Sequence, residues 1–143
     1  MGARITGDMS AEELEAFLGR PQVAVLATVD ARGRPRTVPV WFLWENGAAY
    51  MFTNRSTLKW RNLQANPAAS LCVDDREPPY RSVMVDGVVE ESDGSLYDYV
   101  RPMALACYGP EKGEAFAERY RADRPDVALF RLVPERITSR VSK

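Results

Sequence analysis

At 143 residues the chain fits a single domain, residues 1–143, and a hydrophobic share of 45% supplies a core without the makings of a membrane protein. A formal charge of −1, from 19 basic and 20 acidic side chains, advertises no basic face to nucleic acid and points to small molecules or a second copy of the chain as partners. Histidine is absent, which removes the commonest general base and metal ligand and excludes Ser-His-Asp and Cys-His arrangements, so any catalysis here is expected to belong to a bound cofactor, with no metal site.

The first residues, Met1 to Thr6, carry no apolar run of the signal-peptide kind, and no stretch reaches the roughly 20 apolar residues that span a bilayer. A cytoplasmic location is therefore expected. Ser10-Ala11-Glu12-Glu13 reads as a capping box, with Leu14, Phe17 and Leu18 on one apolar face of a helix that ends near Gly19 and Pro21. Gln22 to Val29 is almost continuously apolar and is predicted to be a strand buried on both sides. After a turn at 30–34, Thr37 to Trp44 is β-branched and aromatic, and Asn46-Gly47 signals a tight hairpin into Ala48 to Thr53. Pro39 cannot donate to a ladder and marks a sheet edge or a bulge.

A helix around Thr57 to Gln64 precedes a short strand at Ala68 to Val73, where Cys72 reads as a structural thiol, as does Cys107 later. A polar, proline-containing loop at 74–79 leads to a long strand, Ser82 to Glu90, with Asp86-Gly87 suggesting a bulge. Ser95 to Tyr108 and Glu111 to Arg121 read as two helices. Val127 to Leu132 is a further strand, Pro134-Glu135-Arg136 a corner, and Ile137 to Val141 a last short strand. Strands that follow one another without alternating helices favour an antiparallel sheet or small barrel over a doubly wound fold.

The chemistry concentrates where the aromatic strand meets the middle helix. Phe52-Thr53-Asn54-Arg55-Ser56-Thr57-Leu58-Lys59 sets hydroxyl and basic side chains at a helix start, whose unpaired N–H groups favour a phosphate. The expected ligand is phosphorylated, with a flat ring held by the neighbouring strands. Lys59 and Arg61 have a bland alternative as solvated helix residues. Trp41 is open between cofactor stacking and packing, and Trp44 leans to packing. Tyr80, Arg81, Tyr97, Tyr99, Arg101 and Tyr108 are candidates for the pocket mouth.

These residues carry a resemblance. The segments Val23 to Val29, Gly33-Arg34-Pro35, Val38 to Phe42, Met51-Phe52-Thr53, Ser56 to Leu63, Asn66 to Leu71 and Val83 to Gly87 together resemble the pyridoxamine 5′-phosphate oxidase-like proteins, over about Ala11 to Arg140. The resemblance implies a mainly β (α+β) fold, a six-stranded antiparallel split β-barrel with flanking helices. It also implies a homodimer with a flavin at the subunit interface.

Carried over residue by residue, Arg36, Thr37, Val38, Pro39, Val40 and Trp41 would lie along the isoalloxazine and ribityl chain. Phe52 and Thr53 would border the phosphate, which Ser56, Thr57, Lys59 and Arg61 would bind. Ser82 would stand where the oxidase has a glutamine that contacts flavin from the partner subunit. Leu58 departs from the family, replacing an arginine beside the phosphate-binding lysine. The oxidase's C-terminal Arg-x-His type motif is also missing, so true pyridoxamine phosphate oxidation is not expected.

Lys59-Trp60-Arg61-Asn62-Leu63 matches a pattern found in relatives that use the deazaflavin coenzyme F(420), so FMN and F(420) both stand as cofactors. The resemblance implies an oxidoreductase passing a hydride between that cofactor and a small, electron-poor organic substrate. A non-catalytic flavin or tetrapyrrole carrier or sensor is the alternative. A protein- or oligonucleotide-binding barrel is disfavoured by the neutral charge.

Overall fold

The computed structural model describes residues 2–20 and 22–142. In chain order it runs β1 (Arg4–Gly7), α1 (Ala11–Leu18), β2 (Val23–Val29), β3 (Pro35–Trp41), β4 (Leu43–Glu45), β5 (Ala48–Asn54), α2 (Leu58–Ala65), β6 (Ala68–Asp75), β7 (Tyr80–Glu91), α3 (Leu96–Glu118) and β8 (Val127–Ser142). Pro21, one of the two residues predicted to end the first helix, lies outside the described residues.

Local chemistry accounts for most of these boundaries. The capping box at α1 forms, Ser10 Oγ accepting from Glu13 N–H at 3.1 Å while Glu13 accepts from Ser10 N–H at 2.9 Å. The β4–β5 hairpin closes through Asn46 and Gly47 at φ 51° and 73°, the positive pair that a two-residue type I′ turn demands.

The strands form one sheet in the order β3-β2-β6-β7-β8-β5-β4, antiparallel throughout, with β1 added to β8 in parallel. β3 and β4 occupy opposite ends of this hydrogen-bonded path, yet Phe42 alone separates them in the chain. Two Cα steps span at most about 7.6 Å. The sheet must therefore curl until its two edges meet, and that closure without a pairing ladder is the split barrel. Eight strands are described where six were expected, because β1 is added and the aromatic strand breaks at Phe42 into β3 and β4.

One buried cluster fills the barrel, with Leu26, Met51, Leu71, Val73, Val83, Val85, Phe130 and Leu132 inaccessible. α1 adds Phe17 and Leu18 to it, and α2 adds Trp60 and Leu63. β2 is not buried on both sides as predicted: Ala24, Leu26 and Thr28 are buried while Val23, Val25, Ala27 and Val29 keep exposure. Its non-core face happens to carry apolar residues too, which hides the alternation in the sequence.

β8 is continuous through the predicted corner. Asp86 pairs with Arg136 and Gly87 with Pro134, so Glu135 is the extra residue of a bulge that bends both long strands. The missing N–H of Pro134 falls at this irregularity and costs the ladder little. A methyl group at Gly87 would overlap the Val133 carbonyl oxygen, a backbone atom that cannot move aside. Gly87→Ala is thus expected to cost about 3 kcal/mol or more, read as a drop in the urea midpoint; a loss below about 0.5 kcal/mol would refute the bulge packing.

α3 spans two helical segments. Gly109, at φ 84° and ψ 176°, reverses the chain, and Arg101 pairs with Glu114 at 2.9 Å while Arg121 donates to the Tyr97 hydroxyl at 2.7 Å. The two helices that the sequence predicts are present, and these contacts lay them antiparallel. The first is tied to the barrel by Tyr99 stacking on Tyr50, ring centroids 4.5 Å apart.

Candidate functional site

α2 begins at the seam between β5 and the curled edge. Asn54 Oδ1 accepts from the backbone and hydroxyl of Ser56, at 2.9 and 2.7 Å, and the Thr57 hydroxyl caps the helix by accepting from Trp60 N–H at 3.3 Å. Thr57 Oγ1 also lies 3.0 Å from Thr53 Oγ1. The expected phosphate-binding hydroxyls of Thr53, Ser56 and Thr57 are therefore all engaged in shaping this turn. Below it, Asn62 Nδ2 donates to Thr28 Oγ1 at 3.2 Å, anchoring α2 to β2 through a buried polar pair.

Beside that turn opens a cleft of about 470 Å³ lined by Pro39, Val40, Trp41, Phe52 and Lys59, together with Val23, Tyr108 and Phe116. Trp41 is its centre: its ring meets Tyr108 at 5.2 Å, Phe116 at 5.3 Å and Phe52 at 6.3 Å, in edge-on and tilted geometries. Tyr120 sits edge-on to Phe52 at 5.4 Å behind them. Lys59 supplies the charge. It makes no ion pair among the described residues, and burial of its ammonium pushes its pKa below the usual lysine value.

The remaining expected site residues divide. Arg36 and Arg61 line an adjoining cleft of about 380 Å³ between α2 and the β2–β3 turn. Val38 packs against the core and Thr37 is exposed. Ser82 is half-buried on β7, three strands from β3 and so roughly 14 Å across the sheet. Within one chain it stands apart from the Trp41 cleft.

Among the pocket-mouth candidates, only Tyr108 reaches the cleft. Arg81 packs over Phe17, 4.9 Å from the ring centroid, and binds Asp75 at 2.9 Å beside a separate cavity of about 510 Å³. Tyr80 projects to solvent. Tyr97, Tyr99 and Arg101 hold the α3 segments and the barrel together. Trp44 donates from Nε1 to Glu15 at 3.0 Å and packs on the core, as its leaning suggested. Phe116 is a cleft residue that the sequence reading lacks; the signal for it is the aromatic pair Phe116 and Tyr120, four residues apart in the last turn of α3 and just beyond it, rings 5.5 Å apart.

The cleft thus offers apolar and aromatic walls for a flat ring, the exposed backbone of an edge strand, and a single unpaired ammonium at a helix start. This donor set fits a phosphorylated flavin. Among the described residues no three His, Cys, Asp or Glu side chains gather as metal ligands. No described helix is long and apolar enough to cross a membrane.

A split barrel with a cleft of this kind defines a fold class, and comparison with known proteins names the family. The model of the pyridoxamine 5′-phosphate oxidase family matches residues 10–140, and the chain belongs to that family. It is 41% identical over 99 residues to the pyridoxine/pyridoxamine 5′-phosphate oxidase of Paraburkholderia xenovorans, covering 64% of this chain and 45% of that protein. The chain thus spans about half the length of such relatives.

Among solved structures, a conserved hypothetical protein from Mycobacterium tuberculosis superposes with a TM-score of 0.78 at 22% identity, over 92% of this chain and 84% of that one. An F(420) reductase gives 0.71 at 28%, over 86% and 94%. The heme storage protein HutZ from Vibrio cholerae gives 0.63 at 26%, over 87% and 89%.

Proposed function

We propose that the protein is a flavin- or deazaflavin-dependent oxidoreductase acting on a small, electron-poor organic substrate. The observation that carries this reading is Lys59, a partly buried ammonium without a carboxylate partner among the described residues, set against a cleft walled by Trp41 and Phe52. Burying an unpaired charge is costly, and an anion that returns the lost solvation explains its presence.

When bound, the cofactor supplies hydride transfer. The chain's own residues do the rest. Lys59 and the first N–H groups of α2 hold the phosphate, with Arg36 and Arg61 adding charge and Ser56, Thr53 and Thr57 shaping the turn. Pro39, Val40 and Trp41 bring edge-strand backbone along the ring, while Thr37 and Val38 set its register. Phe52, Tyr108 and Phe116 exclude water from the reacting face.

A second copy of the chain belongs to the proposal. Val23, Met84 and Val88 are 50%, 40% and 37% exposed on sheet strands, apolar surface that a homodimer would cover, and Ser82 would then reach the partner's cofactor. Similarity to an F(420) reductase supports the deazaflavin and the oxidase relatives support FMN. A carrier of flavin or tetrapyrrole is the second reading, supported by similarity to a heme storage protein, and with no histidine in the chain it would use no imidazole ligand.

Fluorescence titration of the purified chain with FMN and with F(420) tests the reading. Micromolar or tighter binding of one, followed by turnover of an electron acceptor, supports the enzyme. Binding without turnover of any acceptor supports a flavin carrier; binding of neither overturns the enzyme and leaves the tetrapyrrole carrier, which a haem titration then tests.

A further inference from the structure

We infer that the cavity beside α1, at the end of the barrel, is a binding site for a free α-amino acid with an apolar side chain, its carboxylate received by Arg81 and its ammonium by Glu13. The inference stands apart from the cofactor site, because this cavity shares no lining residue with the Trp41 cleft.

Three stretches of chain build the site. α1 and the residues flanking it bring Met9, Glu13, Ala16, Phe17 and Arg20; the start of β7 brings Pro79 and Arg81; the end of β8 brings Val141. Met9 N–H donates to the Ser139 hydroxyl at 3.0 Å and Val141 N–H to Asp8 Oδ2 at 2.9 Å, which pins the approach to α1 against β8. The cavity of about 510 Å³ is therefore preformed, with the size and largely apolar walls of a small-molecule site. On β7 Arg81 alternates with the core residues Val83 and Val85, so it points away from the face that carries Met84 and that a second copy would cover.

Two cations meet one carboxylate here. Arg20 Nη1 at 3.4 Å and Arg81 Nη2 at 2.9 Å both reach Asp75 Oδ2, and both guanidiniums lie over the Phe17 ring, 4.8 and 4.9 Å from its centroid. That arrangement leaves Arg81 underused. Its Nε is the one buried side-chain nitrogen or oxygen among the described residues that has no hydrogen-bond partner. A buried donor without a partner calls for an acceptor, and carboxylate oxygens make the strongest bonds to a guanidinium. The side chain as a whole is 34% exposed, so a ligand meets it at the cavity wall.

Glu13 supplies the opposite charge. One of its oxygens accepts Ser10 N–H at 2.9 Å in the capping box, and among the described residues its carboxylate pairs with no guanidinium. The Ser10 bonds chiefly, and the nearby charge of Arg81 to a lesser degree, hold its carboxyl below the usual carboxylate range. An acid and a base thus line one cavity, each in the field of the other and not joined, while Met9, Ala16, Phe17, Pro79 and Val141 make the rest of the wall apolar.

This lining selects the ligand. The charges of Arg20, Arg81, Asp75 and Glu13 cancel, so a net anion or cation would unbalance the site and a zwitterion would not. An α-amino acid carries carboxylate and ammonium on one carbon and turns its side chain to the wall, where an apolar group gains by burial and a charged one would lose its hydration.

The test is calorimetric titration of the cofactor-free chain with leucine and phenylalanine, and with phenylpropanoate and phenylethylamine, which keep the ring and one charge each. The proteins are the wild type, Arg81→Gln, Glu13→Gln and Ala16→Phe. Glutamine still accepts the Ser10 N–H, so Glu13→Gln keeps the capping box and the fold. Ala16→Phe, at an exposed helix position, fills the cavity without removing either charge.

At least one amino acid is expected to bind with a Kd of about 1 mM or tighter, and both single-charge analogues about tenfold or more weaker. Arg81→Gln and Glu13→Gln should each weaken the amino acid about tenfold, and Ala16→Phe should abolish its binding. Where Arg81→Gln fails to fold, the other two variants decide. Absence of amino acid binding, an analogue that binds as tightly as the amino acid, or unchanged affinity in Glu13→Gln or Ala16→Phe would overturn the inference. None of these outcomes bears on the cofactor titrations, so the proposed function stands or falls separately.

Discussion

Lys59→Met is expected to weaken binding of the phosphorylated cofactor about ten- to a hundredfold while leaving the apo fold intact and its melting temperature equal or higher. A hydrogen bond to a charged group contributes about 1.5–3 kcal/mol, and each 1.4 kcal/mol is tenfold in affinity. Two opposite effects follow from one ammonium because its burial lowers its pKa in the folded chain. The unfolded chain binds that proton more readily, so at neutral pH the charge costs the apo protein stability. The cost is relieved as pH rises through the lowered folded value toward the usual 10.4 or so, and the wild type should gain stability across that window. The variant should lack that gain. Cofactor binding has the reverse dependence and weakens as the ammonium loses its proton. Calorimetric melts and fluorescence titrations along an alkaline series read both slopes, and unchanged affinity in a folded variant would count against the phosphate site.

Phe130→Ala should lower stability by about 3–5 kcal/mol, a large share of what a domain of this size holds. Phe130 is fully buried, pairs with Met51 across β5 and β8, and lies against Trp60 with ring centroids 5.5 Å apart. Its removal opens a cavity directly beneath α2. Because Trp60 seats the turn that carries Lys59, cofactor affinity should fall as well, by more than the unfolded fraction explains. A urea midpoint converting to less than about 1 kcal/mol would show that the barrel collapses onto the gap.

The features legible in the sequence are those set by neighbours in the chain. The capping box at Ser10, the Asn46-Gly47 turn and the helix start at Thr57 all depend on contacts within a few residues, and all form. β1 was missed because its four residues are exposed and carry no apolar pattern; it exists only through pairing with Arg136 to Ser139, more than 130 residues later. The corner expected at Pro134-Glu135-Arg136 is instead a bulge, which no local pattern marks because it needs Gly87 from another strand.

The candidate site divides in the same way. Pro39, Val40, Trp41, Phe52 and Lys59 converge as the motif implies, since a hairpin and the helix after it hold them close. Val23 and Phe116 join from distant stretches that no local pattern links to the cleft. The capping bond of Thr57 and the Asn54–Ser56 bonds are local, and they engage in the turn the hydroxyls that the resemblance assigns to the phosphate.

The reversal at Gly109 separates two kinds of constraint along the chain. The segment before it is fastened to the barrel by Tyr99 on Tyr50 and by Val100, Met103 and Ala104 in the interior, so its sequence answers to folding up to its last residue, Tyr108, which lines the cleft. The segment after it presents Phe116 to the cleft and Tyr120 to Phe52 behind it, from a helix that keeps only Gly113 and Ala117 buried. Drift in that second segment can redraw what the cleft admits while the barrel and the turn that opens α2 stay as they are. In the proposed enzyme, substitutions there act on what the cleft admits and leave Lys59 and its turn unchanged.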